Sequence, residues 1–132
     1  MSLLTVVYKN TEVAGQLLRR EETLAQPSIQ LKRKPNILYT LIMSDPNAEP
    51  KDYLHWLVVN IDRANYHDVV AYYPPTPPSG THNYVFYLCE QPKGLRLKPI
   101  SGRSGFNTNQ FIMDNHLTLV DRKSFKVASS KI

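Results

Sequence analysis

The chain has 132 residues, 42% of them hydrophobic and 20% charged, which supplies one core and leaves little room for a second domain. Sixteen Lys and Arg against eleven Asp and Glu give a formal charge of +5, which favours phosphate-bearing partners without choosing among nucleic acid, lipid and phosphopeptide. No apolar run approaches the ~20 residues of a membrane-spanning helix, a single cysteine excludes an intrachain disulfide, and ten prolines exclude a helical bundle.

Residues 1–8 are too short an apolar stretch, and too uncharged, for a secretory signal, so a soluble cytoplasmic protein is expected. A mainly β domain spanning 1–132 follows. Stretch 3–8 (LLTVVY) is rich in β-branched residues, ends at Lys9-Asn10 and reads as a strand. Further strands are predicted over 15–20, 28–32 and 37–43, the last with the near-continuous apolar pattern of an interior strand. The chain then breaks at 44–50 (SDPNAEP). Stretch 53–61 (YLHWLVVNI) is the most apolar and reads as a central strand with His55 embedded in it. A short strand over 69–73 runs into the stiff, donor-poor loop 74–80 (PPTPPSG). Stretch 82–90 (HNYVFYLCE) is the next core strand, with Cys89 as a small buried hydrophobe. A helix is predicted over 108–115, capped by Asn107, with Phe111 and Ile112 toward the core, and a last strand over 125–128.

Asp45, His55 and His82 stand at strand ends or inside apolar strands, where an ionisable group is costly without partners. Their placement points to a shared pocket. Tyr84, two residues beyond His82, shares its sheet face. Two imidazoles, a phenol and a carboxylate beside a Pro/Gly loop suit a small anion, with Asp45 orienting an imidazole proton. His67 and His116 lie in polar sequence and carry no such role. The basic groups, such as 32–34 and 122–126, lack interleaved aromatic residues and read as solvated loops and strand edges.

The blocks 39–50 (YTLIMSDPNAEP), 54–61 (LHWLVVNI) and 72–86 (YYPPTPPSGTHNYVF), in that order, resemble the phosphatidylethanolamine-binding protein family. That family is marked by an Asp-Pro-Asp-x-Pro segment, a histidine inside an apolar strand, a proline-rich loop and a Gly-x-His-Arg segment. The resemblance extends over nearly the whole chain, from Leu3 to stretch 103–111. It implies a large central antiparallel or mixed sheet packed on a smaller one, with one short helix and a small anion pocket at one end. It places Asp45, His55, His82 and Tyr84 in that pocket, with Pro50, Tyr53, Tyr72, Pro74 and Pro75 as walls. It implies binding of phosphate-type groups, including a phosphoethanolamine head group, and modulation of kinases or other signalling proteins, with peripheral membrane contact, no cofactor and no shared enzymatic activity.

Departures from the family pattern are informative. Asn47 replaces the second Asp, Asn83 replaces the Arg, and the two amides are expected to face each other where the family carries an ion pair. Glu49 is inserted before Pro50, Tyr53 stands where Trp is common, and Pro74 removes a backbone N–H able to donate to an anion. The shorter C-terminal stretch leaves no room for the helix that closes the pocket in animal members, so a more open pocket is expected. Two alternatives compete with an anion-binding module: a metal-dependent enzyme using Asp45, His55 and His82, and a basic nucleic-acid binder. Ser79 lacks a nucleophile-elbow context and reads as a turn residue.

Overall fold

The computed structural model describes residues 2–62 and 65–130; residues 63–64 and the ends of the expected 1–132 domain lie outside the described residues. The chain runs β1 (Leu4–Tyr8), β2 (Thr11–Glu12), β3 (Leu17–Leu18), a 3-10 turn (Arg20–Thr23), β4 (Ser28–Leu31), β5 (Leu38–Asp45), β6 (Tyr53–Ile61), β7 (His67–Val70), β8 (Thr81–Gln91), α1 (Thr108–Asp114) and β9 (Thr118–Ala128). Two sheets form, one with order β2-β1-β4 and one with order β3-β9-β8-β5-β6-β7. The fold is mainly β, with the small sheet on one face of the large one, as expected. Pairing is antiparallel except where β3 lies parallel to β9.

The near-continuous apolar runs of β5 and β6 are explained by burial on both faces. Toward the small sheet, Leu41, Met43, Trp56, Val58, Phe86 and Phe125 meet Leu4, Val6 and Tyr8 of β1. On the other face, Ile42, Leu54, Leu57, Val59 and Val70 lie under Leu95, Leu97, Ile100, Phe106, Phe111 and Ile112, from the irregular stretch after β8 and from α1. Strand β1 has only one face to bury and shows strict alternation. Phe86 is fully buried, and its truncation to Ala would cost about 3–5 kcal/mol. Asn107 caps α1, its Oδ1 accepting the Gln110 N–H at 2.9 Å.

One irregularity positions the site. Met43 pairs with Trp56 and Ser44 with Leu54, so β6 carries one extra residue, His55. This bulge reverses the facing of the strand: Trp56 enters the core between the sheets, and Leu54 packs on the opposite face. His55 is the residue left to be re-aimed.

Three expected strands differ in extent. The 15–20 strand shrinks to Leu17–Leu18 because local bonds win beyond it, the Arg19 N–H donating to Glu22 Oε1 at 3.0 Å and Thr23 Oγ1 donating to the Arg20 carbonyl at 3.0 Å. The 69–73 strand is shifted to His67–Val70, where Asp68 Oδ1 accepts the Trp56 Nε1–H at 3.1 Å. The 125–128 strand extends back to Thr118, its alternation hidden by a bulge at Val120, since Leu88 pairs with Asp121 and Cys89 with Leu119. Asp121 ties the sheets together, its Oδ2 accepting the N–H groups of Leu3 and Leu4 at 2.8 Å each. Those bonds hold its carboxyl below the usual carboxylate range, against a partial desolvation that acts the other way. No helix among the described residues is long and apolar enough to cross a membrane.

Candidate functional site

Asp45 is the last residue of β5 and is buried, and His82 is the second residue of the neighbouring strand β8. Antiparallel pairing of those strands brings the two together, and His82 Nδ1 donates to Asp45 Oδ2 at 2.6 Å. The other carboxylate oxygen, Oδ1, accepts the Asn47 N–H at 2.8 Å, an Asx turn that starts the loop after β5. Asn47 Oδ1 in turn accepts the Asn83 N–H at 2.7 Å and its Nδ2–H at 3.1 Å. The expected pairing of the two amides is therefore present, and a neutral contact holds the loop against β8.

His55 approaches from the bulge in β6. Its Nδ1 donates to the Tyr73 carbonyl at 2.6 Å, while the Tyr73 N–H donates to the His55 carbonyl at 2.8 Å. Burial is the main cause that pushes the His55 pKa below its ordinary 6.5; the positive charges of Arg103 and His82 add to it, and the Tyr73 carbonyl and Asp45 oppose it. The ring is thus neutral at pH 7, with its proton on the nitrogen that faces Tyr73. Between the imidazoles lies Tyr84, edge-on to His55 at 5.2 Å and stacked with His82 at 6.4 Å between ring centroids. Burial raises the Tyr84 hydroxyl well above its ordinary value, so it remains a neutral donor. Among the described residues, the Nε2 atoms of His55 and His82 and the Tyr84 hydroxyl make no hydrogen bond.

Tyr53 flanks His55 on the other side, the rings edge-on at 4.9 Å. Pro50 is exposed and sits beside Gly105; Pro74 is half-buried and Pro75 buried in the irregular stretch that follows Tyr73. Tyr72 does not join the group. Its hydroxyl bonds the Tyr8 hydroxyl at 2.7 Å and donates to the Thr23 carbonyl at 2.7 Å, and its ring stands edge-on to Trp56 at 5.6 Å, inside the core between the sheets. The neighbouring Tyr73, 42% exposed, takes the place at the site, its ring 6.1 Å from His55.

Arg103 is the residue that sequence reasoning missed. Its guanidinium donates to the carbonyls of His55 at 2.9 Å, Leu54 at 3.3 Å and Ala71 at 2.7 Å, and lies 5.4 Å above the Tyr73 ring. One cation thus clamps the bulge to the stretch after β7, with a cation–π contact as support. Stretch 103–108 is itself held by the reciprocal backbone pair of Asp52 and Phe106, at 2.8 and 2.9 Å, and by Thr108 Oγ1 donating to Asp52 Oδ2 at 2.9 Å. The only signal for Arg103 was its place in the block 103–111, which names no role.

The metal alternative needs Asp45 as a ligand, and both of its carboxylate oxygens are engaged, by His82 and by the Asn47 N–H. Among the described residues no three His, Cys, Asp or Glu side chains are arranged to hold a metal ion. Cys89 is fully buried, which pushes its thiol up to about 12 and keeps it a protonated core residue.

Fold and site together define a two-sheet β protein with a histidine–carboxylate–tyrosine group at one end of its central strands. The family profile described as "PBP: Phosphatidylethanolamine-binding protein" matches residues 8–126, and the chain belongs to that family. It is similar to the rice (Oryza sativa subsp. japonica) "Protein MOTHER of FT and TFL1 homolog 2", 35% identical over 130 residues, covering 88% of this chain and 75% of that protein. It is also similar to Arabidopsis thaliana "Protein FLOWERING LOCUS T", 32% identical over 120 residues, covering 82% of this chain and 69% of that protein. Among solved structures, carboxypeptidase Y inhibitor, complexed with its cognate proteinase, superposes with a TM-score of 0.85 at 22% identity, covering 96% of this chain and 83% of that one.

Proposed function

We propose that this end of the large sheet binds a phosphate-type group, on a phosphoethanolamine head group or a phosphorylated partner, and that the protein is a non-catalytic modulator of a signalling protein such as a kinase. The observation that carries the reading is the pair of imidazoles on either side of Tyr84, each with Nδ1 held by an internal acceptor and Nε2 left without a partner. With Nδ1–H fixed, each ring presents one nitrogen in a set direction, a lone pair that becomes a donor when the ring takes up a proton, and the phenol adds a donor that needs none. Membership of the family supports the same assignment.

The chemistry is that of recognition, not turnover. For His55 to donate from Nε2 as well as Nδ1, the ring must take up a proton, so anion binding is coupled to protonation and tightens as pH falls toward the lowered His55 value. Asp45 would repel an anion if exposed; it is buried, and its two oxygens are engaged by His82 and Asn47. Ser79 is exposed in the bend between Pro78 and Gly80, as a turn residue. A cytoplasmic setting fits a signalling partner, and a head group would be met by peripheral contact with a membrane.

Calorimetric titration with inorganic phosphate, phosphoethanolamine and phosphotyrosine at pH 6 tests the reading. Saturable binding is expected, weakened at least about tenfold in His82→Ala, since a charge-assisted hydrogen bond is worth roughly 1.5–3 kcal/mol. Absence of binding by all three ligands would end the proposal.

A further inference from the structure

A cleft lies away from the histidines, between the outer strand of the small sheet and the large sheet. It encloses about 620 Å³ and is walled by Ile29 and Leu31 on one side and by Leu41, Trp56 and Val58 on the other, with Arg33 at the end of β4. That volume falls within the range of small-molecule sites, roughly 300–1,000 Å³. The cleft is open to solvent, its lining includes the polar Gln26, Ser28 and Asp62, and its apolar part reaches the core at Leu41, Trp56 and Val58; the one polar atom of Trp56, Nε1–H, is already given to Asp68 at 3.1 Å. Its apolar part offers an apolar group a surface to bury.

Two charged side chains line the cleft and differ in their commitments. Asp62 accepts the Asn65 N–H at 2.8 Å through Oδ1, and its backbone N–H bonds the Asn65 carbonyl at 2.9 Å. Arg33 is half-buried and, among the described residues, makes no hydrogen bond and no ion pair. Its flanking Lys32 is exposed, and Lys34 reaches Glu90 at 3.1 Å on the far side. A guanidinium held partly out of water beside an apolar cleft, with its donors unused, is matched by a planar anion attached to an apolar body.

We infer that this cleft binds a lipophilic carboxylate, its chain lying between Leu31 and Trp56 and its carboxylate paired with Arg33. The site is separate from the histidine group and does not depend on what that group binds. Arg33 lies past the end of β4 and supports no hydrogen bond, so its replacement leaves the fold in place.

Trp56 is the only tryptophan in the chain and lines the cleft, so its fluorescence reports occupancy directly. Decanoate, added below its micelle concentration, is expected to change Trp56 emission saturably, whereas inorganic phosphate leaves it unchanged. Decanol and decylamine, with the same chain and no carboxylate, are expected to bind at least about tenfold more weakly, in line with a charged hydrogen bond of roughly 1.5–3 kcal/mol. Arg33→Met should weaken decanoate by a similar factor and leave decanol unchanged, and Arg33→Lys should fall between. Perturbation of Leu31 and Val58 methyl signals by decanoate provides a readout independent of the variants. No saturable change with decanoate, or equal affinity for decanoate and decanol, would overturn the assignment, as would an Arg33→Met protein that binds decanoate as tightly as the unaltered chain.

Discussion

Strands β5, β6 and β8 each carry polar side chains at both ends, and the two ends use them differently. At one end, Gln91 is buried and every bonding position of its amide is taken. Its Oε1 accepts from Thr40 Oγ1 at 2.7 Å and from the Asn60 N–H at 2.8 Å, while Nε2 donates to Asn60 Oδ1 at 2.9 Å and the Lys93 carbonyl at 3.0 Å. Asn60 completes the set by binding both the N–H and the carbonyl of Leu95, each at 2.9 Å. At the other end, Asp45, His55, His82 and Tyr84 are held just as firmly, yet two ring nitrogens and a hydroxyl have no partner among the described residues. The first group closes on itself and ties the end of β6 to the chain after β8. The second is fixed from behind and keeps unbonded atoms among the described residues, which is what the proposed binding requires.

If that contrast is right, damage to the closed end should appear in stability and damage to the open end in binding. The largest effect is expected for Gln91→Leu, which strips partners from Thr40, Asn60 and Lys93; a loss of about 3 kcal/mol in urea denaturation is expected. Phosphate affinity, measured on the folded fraction, should not move. Arg103→Leu sharpens the comparison because Arg103 serves the open end from behind. Loss of its three carbonyl contacts should cost about 2 kcal/mol, and removal of its positive charge should raise the His55 pKa in an NMR titration.

A pH series probes the same end. The folded pKa of His55 lies below its ordinary 6.5, so between those two values the unfolded chain binds more protons than the folded one. Its contribution to stability is therefore complete above about pH 6.5 and declines as pH falls toward the folded value. His55→Phe should flatten the stability profile in that window relative to the unaltered chain; an unchanged slope would show that His55 does not carry it. The smallest effect is expected where the ion pair of the family pattern is restored. Asn47→Asp with Asn83→Arg should change stability by no more than about 1 kcal/mol, because Asn47 is exposed and solvent-facing ion pairs contribute little.

Much of the architecture was legible in the sequence, because burial leaves a direct trace in composition. The 53–61 strand and the Asn107-capped helix were readable from apolar runs and a capping residue, and their observed bounds, Tyr53–Ile61 and Thr108–Asp114, lie close to the expected ones. What escaped depends on irregularity. A bulge erases the alternation that marks a strand, so the first half of β9 was hidden behind the extra residue Val120. The resemblance made Tyr72 a wall, but the stretch after β7 leaves the ladder, its Tyr72 ring packs against Trp56, and the adjacent Tyr73 stands beside His55. Arg103 was invisible because its partners are backbone carbonyls, which every residue possesses. The pairing of Asp45 with His82 was the reverse case, since ionisable groups at the ends of apolar strands must find a partner.

The central claim is that the histidines are held through Nδ1 and offer Nε2 to an anion. The most direct test is to follow the ring nitrogens of His55 and His82 by NMR while inorganic phosphate is added at pH 6. The account predicts that both Nε2 signals shift saturably, with one affinity, and by far more than the Nδ1 signals, which carry a proton throughout, while Gln91 and Asn60 are undisturbed. Phosphate that moved neither Nε2 signal, or that shifted them linearly without saturation, would contradict it.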